Sequence, residues 1–240
     1  METTDDTAII RSTDDIYTML DEIVKKWDAN WWDRFYADRE KPIPFFRCIP
    51  DESLHTWIQD NQFRPGRVID IGCGMGRNAI YLAKCGFSVD AIDFSAASIA
   101  WAIENAKKEN VLVNFICDSI FDHSIDPETY NCIYDSGCLH HLKPHQRFQY
   151  LKLVYNLLKP GGHFGLSCFN PKGAVPMSDY AVYREGTMNG GMGYTEQKLK
   201  AVLEDFFEVI EFRQMKQITD GTLFGEDFLW TVLMEKKRIS

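Results

Sequence analysis

The chain has 240 residues, 45% of them hydrophobic and 25% charged, the composition of a globular protein able to bury a sizeable core. Lysine and arginine number 26 against 35 aspartate and glutamate, a net charge of −9, and the basic residues are scattered rather than clustered. That balance argues against nucleic acid and against an anionic membrane surface as partners, and no apolar run is long enough to span a bilayer.

The opening stretch, "METTDDTAIIRSTDD", is acidic and lacks the basic flank and apolar core of a signal peptide. Seven cysteines, an odd number with no CxxC pair, mostly lie in apolar runs such as "FICDS" and "LSCFN". They read as buried free thiols in a reducing, cytoplasmic setting, with no disulfides and no metal site. The oligomeric state is not legible.

Residues 14–40 read as helical and carry the aromatic residues Trp27, Trp31, Trp32, Phe35 and Tyr36. The prolines of "KPIPFF" (41–46) end that pattern. A second helix spans about Asp51 to Asp60, with Asp51 or Ser53 as its cap, and "RPG" (64–66) makes a turn. An alternation follows. "RVIDI" (67–71) is a buried strand, "RNAIYLAKC" (77–85) a helix ended by Gly86, "SVDAID" (88–93) a strand, and "SAASIAWAIENAKKEN" a helix. "VNFICD" (113–118), "NCIYDS" (131–136) and "HFGLSCF" (163–169) are further strands, with a helix over 145–162 stopped by proline and glycine. A helix from Thr195 to Glu204 leads into strands "FEVIEF" (207–212) and "FLWTVLMEKK" (228–237). Strands alternating with helices specify a doubly wound, mostly parallel sheet. No helix separates the last two of the seven strands, so the last is expected antiparallel. The expected organisation is a single domain over 1–240, with an N-terminal helical extension (1–63), a core (64–240) and a long, glycine-rich insert (170–194).

"IDIGCGMGRN" (69–78) places Gly72, Gly74 and Gly76 between the first strand of the alternation and the next helix. In an open α/β sheet, ligands sit at that end of the strands. Glycines there permit close approach of a ligand, and helix amides point toward it. A nicotinamide dinucleotide site needs G-x-G-x-x-G, but Arg77 stands where the third glycine belongs. No G-K-[ST] follows, which excludes a P-loop. Asp93, at the end of the second strand, can accept both hydroxyls of a ribose in either adenosine-type site. Asp118 ends the third strand with Ser119 and Ile120 behind it, placing an acid where an adenine amino group can donate. Asp70, before the glycines, can accept from loop amides or from a cationic ligand group.

"VIDIGCGMGRNAIYLAKCGFSVDAID", "LLKPGG" before a strand and a final "LWTVLMEKK" together resemble class I S-adenosylmethionine-dependent methyltransferases, over roughly residues 65–237. "GRNAIYLAKCGFSVDAID" and "YDSGCLHHL" look closest to the small-molecule branch around thiopurine and tellurite-resistance methyltransferases. The resemblance implies a Rossmann-like fold and S-adenosyl-L-methionine as cofactor, leaving S-adenosyl-L-homocysteine. It implies that the glycine loop (Gly72, Cys73, Gly74, Gly76, Asn78) takes the methionine part, Asp93 the ribose and Asp118 the adenine, with Phe94, Ser119 and Ile120 as adenine neighbours.

The methyl on a sulfonium is already electrophilic, so the protein mainly aligns the nucleophile and excludes water. Residues 134–146, "YDSGCLHHLKPHQ", are expected near the reacting centre, with Asp135 and Ser136 close to the methionine end. Nucleic-acid amino-methyltransferases carry [DN]-P-P-[FYW] here; Asp135-Ser136-Gly137-Cys138 departs from it, which favours a small-molecule acceptor. His140 and His141 are the candidate proton-transfer groups, with packing at the start of the next helix as the competing role. Cys138 reads as packing. Trp31 and Tyr36 in the N-terminal aromatics, and Tyr183 and Arg184 in the insert, are candidate substrate contacts. The N-terminal aromatics form either a lid or a helix packed on the sheet edge. The function expected is methyl transfer by in-line attack. The alternatives are a catalytically silent cofactor-binding protein and, against Arg77, a nicotinamide oxidoreductase.

Overall fold

The computed structural model describes residues 9–24 and 28–238. Seven strands, β1 (Arg67–Ile71), β2 (Ser88–Asp93), β3 (Asn114–Cys117), β4 (Tyr130–Ser136), β5 (Leu158–Phe169), β6 (Phe207–Gln214) and β7 (Leu229–Lys236), form one sheet in the order β3-β2-β1-β4-β5-β7-β6. The first five strands run parallel, while β7 is antiparallel to both β5 and β6. The helices are α1 (Thr13–Ile23), α2 (Ala29–Ala37), α3 (Glu52–Gln59), α4 (Arg77–Lys84), α5 (Ala96–Lys108), α6 (Pro144–Leu157), α7 (Asp179–Glu185) and α8 (Glu196–Leu203). None of the described helices is long and apolar enough to cross a membrane.

Strand side chains alternate between two apolar layers because successive residues point to opposite faces. Val68, Ala91, Tyr134 and Leu233 enter one cluster, with Leu54 and Trp57 from α3 and Leu82 from α4. Ile69, Ile92, Ile133 and Met234 enter the other, with Tyr150, Leu151 and Val154 from α6. A sheet covered on both faces exposes only its edges and strand ends to ligands. The order reverses between β1 and β4, so the carboxyl ends of β1, β2, β4 and β5 flank the switch point.

The segment 14–40 forms two helices rather than one. Ser12 and Asp15 make a capping box at α1, and Asp28 starts α2 by accepting from the Trp31 amide (2.9 Å). Trp27 falls outside the described residues. The insert 170–194 holds α7, capped by Ser178, and is tied to the core by Asp179, which receives both Arg147 and Lys198. The helix over 145–162 ends early, at Leu157, and residues from Leu158 onward already pair with β4. All seven cysteines are free, but Cys48 and Cys117 are exposed. Cys117 lies at the carboxyl end of β3, an edge strand with four residues, so an apolar sequence neighbourhood does not bury it.

Candidate active site

The turn after β1 is built from residues that need a left-handed backbone. Gly72, Gly74 and Gly76 have φ of +67°, +54° and +82°. The Gly72 and Cys73 amides donate to the Ile92 carbonyl at 2.8 and 3.1 Å, pinning the loop to the end of β2. A side chain at Gly74 would put Cβ 2.6 Å from the Tyr36 hydroxyl, and one at Gly72 would touch Cys138 Cβ at 3.0 Å. The loop therefore passes directly beneath α2. Gly76 faces elsewhere, against Ala102 and Phe115.

Asp93 is buried at the end of β2, with one carboxylate oxygen accepting from the Gly74 amide and the other from the Ser95 amide, both at 2.9 Å. Burial pushes its pKa up, and these two amides pull the other way. Each oxygen has a lone pair beyond the one engaged. Asp33 of α2 accepts from the Ser95 hydroxyl (2.7 Å) and the Ala97 amide (3.1 Å), so α2 also caps the start of α5 beside this acid.

These groups open onto a cavity of about 350 Å³. Asp70, Gly72, Cys73, Gly74, Asn78, Asp93, Phe94, Ser119, Ile120, Ser136, His140, His141 and Tyr36 line it, as do Trp32, Phe45, Arg77, Phe121, Cys138, Phe169, Phe224 and Phe228. The wall thus combines the acid at the end of β2 with ring-bearing residues at and beyond the end of β5.

Other candidates lie off this wall. Asp118 turns back on its own loop, accepting from the Ser119 amide (2.8 Å) and meeting His123 Nδ1 (3.1 Å). Asp135 is fully buried beneath the cavity, accepting from the Cys138 and Leu139 amides (2.7 and 3.0 Å) and the Tyr150 hydroxyl (2.8 Å). Burial pushes its pKa up to about 6 against those hydrogen bonds. It shapes the turn that carries Cys138 and His140. Trp31 stacks on Phe35, centroids 5.3 Å apart. Tyr183 meets His145 Nδ1 through its hydroxyl (2.8 Å), and the exposed Arg184 pairs with Glu185. Asp70 does line the cavity, and burial among Asp51 and Asp135 pushes its carboxyl well up, against the pull of Arg77.

Sequence reasoning gave Asp51 only the role of helix cap and Arg77 only that of a missing glycine. Asp51 does start α3, yet its carboxylate receives Arg77 Nη1 (2.5 Å), the Tyr134 hydroxyl (2.5 Å) and Asn78 Nδ2 (3.3 Å). Arg77 Nη2 donates to Ser136 Oγ (2.9 Å), and the guanidinium lies 4.3 Å from the Phe224 ring centroid. Phe224 and Phe228 carried no signal at all; the bridge between Asp51 and Phe224 places their loop.

His140 is buried and His141 half-buried, and both titrate low. Burial drives His140 well below the ordinary histidine range and His141 to about 4, although a hydrogen bond with the Gly190 backbone favours the charged form of His141. The Phe169 amide donates to His140 Nδ1 (3.3 Å), which leaves the ring proton on Nε2. The His140 ring also stacks on Phe169 at 3.7 Å, and Trp32 meets His141 edge-on at 5.1 Å. Burial and Asp135 hold the Cys138 thiol protonated, so it is no nucleophile.

A doubly wound sheet with a glycine loop and a buried acid at adjacent strand ends defines a nucleotide-cofactor enzyme fold. Residues 68–162 match the family model described as a methyltransferase domain. The resemblance read from the sequence is borne out. Among curated relatives, the chain is 29% identical to phosphoethanolamine N-methyltransferase 3 of Arabidopsis thaliana, over 55% of this chain and 27% of that protein. It is 28% identical to a ubiquinone biosynthesis O-methyltransferase of Coxiella burnetii, over 59% of this chain and 57% of that one. The matches thus span from about a quarter to somewhat over half of these relatives' lengths. In fold, the chain is similar to 1,6-didemethyltoxoflavin-N1-methyltransferase of Burkholderia thailandensis, with TM-score 0.65, 18% identity, and coverage of 96% and 93% of the two chains.

Proposed function

We propose that this chain transfers a methyl group from S-adenosyl-L-methionine to a small-molecule acceptor by in-line attack, releasing S-adenosyl-L-homocysteine. The observation that carries the reading is a single cavity joining Asp93 and the glycine loop to an aromatic wall beyond β4 and β5. The residues fit the group. Asp93 keeps lone pairs for two ribose hydroxyls, Phe94, Ser119, Ile120 and Phe121 flank the adenine position, and the glycine loop with Asp70 borders the methionine end. When bound, the cofactor supplies a methyl on a positively charged sulfur.

The remaining work falls to the chain. Trp32, Tyr36 and Phe45 line the cavity, and α2 with the turn after it acts as a lid that excludes water. Burial makes His140 and His141 weak bases, so they contact the acceptor rather than deprotonate it. The Asp135 turn holds that wall in place.

Calorimetric titration tests the reading: heat on adding S-adenosylhomocysteine and none on adding NAD is expected. Asp93→Asn, which keeps one amide acceptor, is expected to weaken S-adenosylhomocysteine binding by about 1–3 kcal/mol. Failure of the wild-type protein to bind it refutes the proposal. Undiminished affinity in the variant places the ribose elsewhere.

A further inference from the structure

The acceptor end of the cavity has a distinctive inventory of charge. Among the described residues, the acidic and strongly basic side chains on its wall are Asp70, Arg77 and Asp93, beside the two histidines held neutral. Asp93 is engaged by amides at the cofactor end, and Asp70 stands near the end of β1, two residues before Gly72. Arg77 is the one cation in the wall, and it is already satisfied. Its Nη1 meets Asp51 Oδ1 (2.5 Å) and the Ile49 carbonyl (3.3 Å), its Nη2 meets Ser136 Oγ (2.9 Å), and the Phe224 ring covers it. A phosphate or carboxylate entering here would lose its water and gain no positive charge, a costly transfer.

The surface that remains is rich in ring-bearing side chains: Phe169, Phe224 and Phe228, with Phe45 and Trp32. Ring walls favour a flat, conjugated ligand, which gains stacking as well as burial. His140 adds direction. Its plane is fixed by the stack on Phe169 (3.7 Å, 23°), and the Phe169 amide occupies Nδ1, so Nε2–H is a donor for which no acceptor is recorded among the described residues.

We infer that the acceptor is a flat, uncharged aromatic compound bearing a hydroxyl or carbonyl oxygen, held against Phe169, Phe224 and Phe228 and hydrogen-bonded by His140 Nε2–H. This rests on the methyl-transfer reading and narrows it by exclusion. The phosphorylated acceptor in the name of one relative requires a free cation that this wall lacks.

The test is binding to the full chain saturated with S-adenosylhomocysteine, followed by calorimetry and tryptophan fluorescence. The probes are catechol against 3,4-dihydroxybenzoate, 2-naphthol against 2-naphthyl phosphate, and phosphoethanolamine. The neutral member of each pair is expected to bind at least about tenfold more tightly, and phosphoethanolamine not at all. His140→Phe keeps a ring on Phe169 but removes the donor, and is expected to weaken both neutral probes by about tenfold. The wild-type comparison stands even if that variant folds poorly. Equal or tighter binding of an anionic member or of phosphoethanolamine overturns the inference, as does absence of binding by both neutral probes. Either result leaves the methyl-transfer reading intact, which fails separately if S-adenosylhomocysteine does not bind.

Discussion

Removing Arg77 tests whether the buried ion pair, rather than apolar packing, joins α3 to the glycine-loop helix. Asp51 is fully buried and Arg77 is 7% exposed, so neither charge is screened by water. Without the guanidinium, Asp51 keeps only the Tyr134 hydroxyl and the Asn78 amide as donors. Breaking such a pair from one side costs about 3–5 kcal/mol, because the surviving charge is left uncompensated in a poorly polarisable interior. The contact with the Phe224 ring adds about 0.5–1 kcal/mol. Arg77→Met, which retains most of the volume, is therefore expected to lose about 3.5–6 kcal/mol. Asp51→Asn combined with Arg77→Met removes both charges, and its loss should fall to about 1–2 kcal/mol. Urea unfolding of wild type, both single variants and the double variant, compared at equal m-values, reads these quantities. A loss below about 1 kcal/mol in Arg77→Met, or a double variant that loses the sum of the singles, refutes the reasoning.

Two other perturbations follow from the same geometry. Gly74→Ala forces a residue with Cβ into φ +54° and against the Tyr36 hydroxyl at 2.6 Å; the backbone alone costs about 1–2 kcal/mol. Adding Tyr36→Phe leaves Cζ at 3.3 Å as the nearest atom and should restore part of the melting temperature; no recovery would show that the contact is not what destabilises. His141 titrates at about 4 in the folded chain against 6.5 as its ordinary value, so its contribution to stability is present above pH 6.5 and is lost as pH falls toward 4. At about 1.4 kcal/mol per pKa unit, the stability difference between wild type and His141→Gln should change by about 3 kcal/mol between pH 7 and pH 4. Asp135, raised to about 6 from 3.8, acts oppositely, its contribution lost as pH rises, so only the paired comparison isolates His141. A difference constant with pH would mean the ring is not held neutral.

The elements of this fold were legible because their signals are local. β1 and β2 begin and end where the apolar runs 67–71 and 88–93 do, and Gly86 closes α4 at φ +87° as its position implies. Boundaries failed where a neighbour decided them. Residues 158–162 look like a proline-glycine helix stop, but the whole segment joins β5, entered where Leu158 pairs with Tyr130 of β4. The single helix expected over 14–40 is broken because Asp28 satisfies the first amides of a new one.

At the site, the glycine loop and Asp93 follow from spacing alone, since a strand, a tight turn and a helix within one unit bring their ends together. That is what the sequence by itself determined: the fold class, the loop and the acid at the next strand end. The tertiary structure decided the rest. Asp118 sits at the right strand end but turns to His123, and Asp135 supports the wall from beneath. Asp51, Arg77 and Phe224 lie far apart along the chain and meet only after folding, through a buried ion pair and a bridge across the sheet's end. Periodicity and spacing report on neighbours within a few residues, whereas the charge left free in a cavity depends on which distant groups have already neutralised one another.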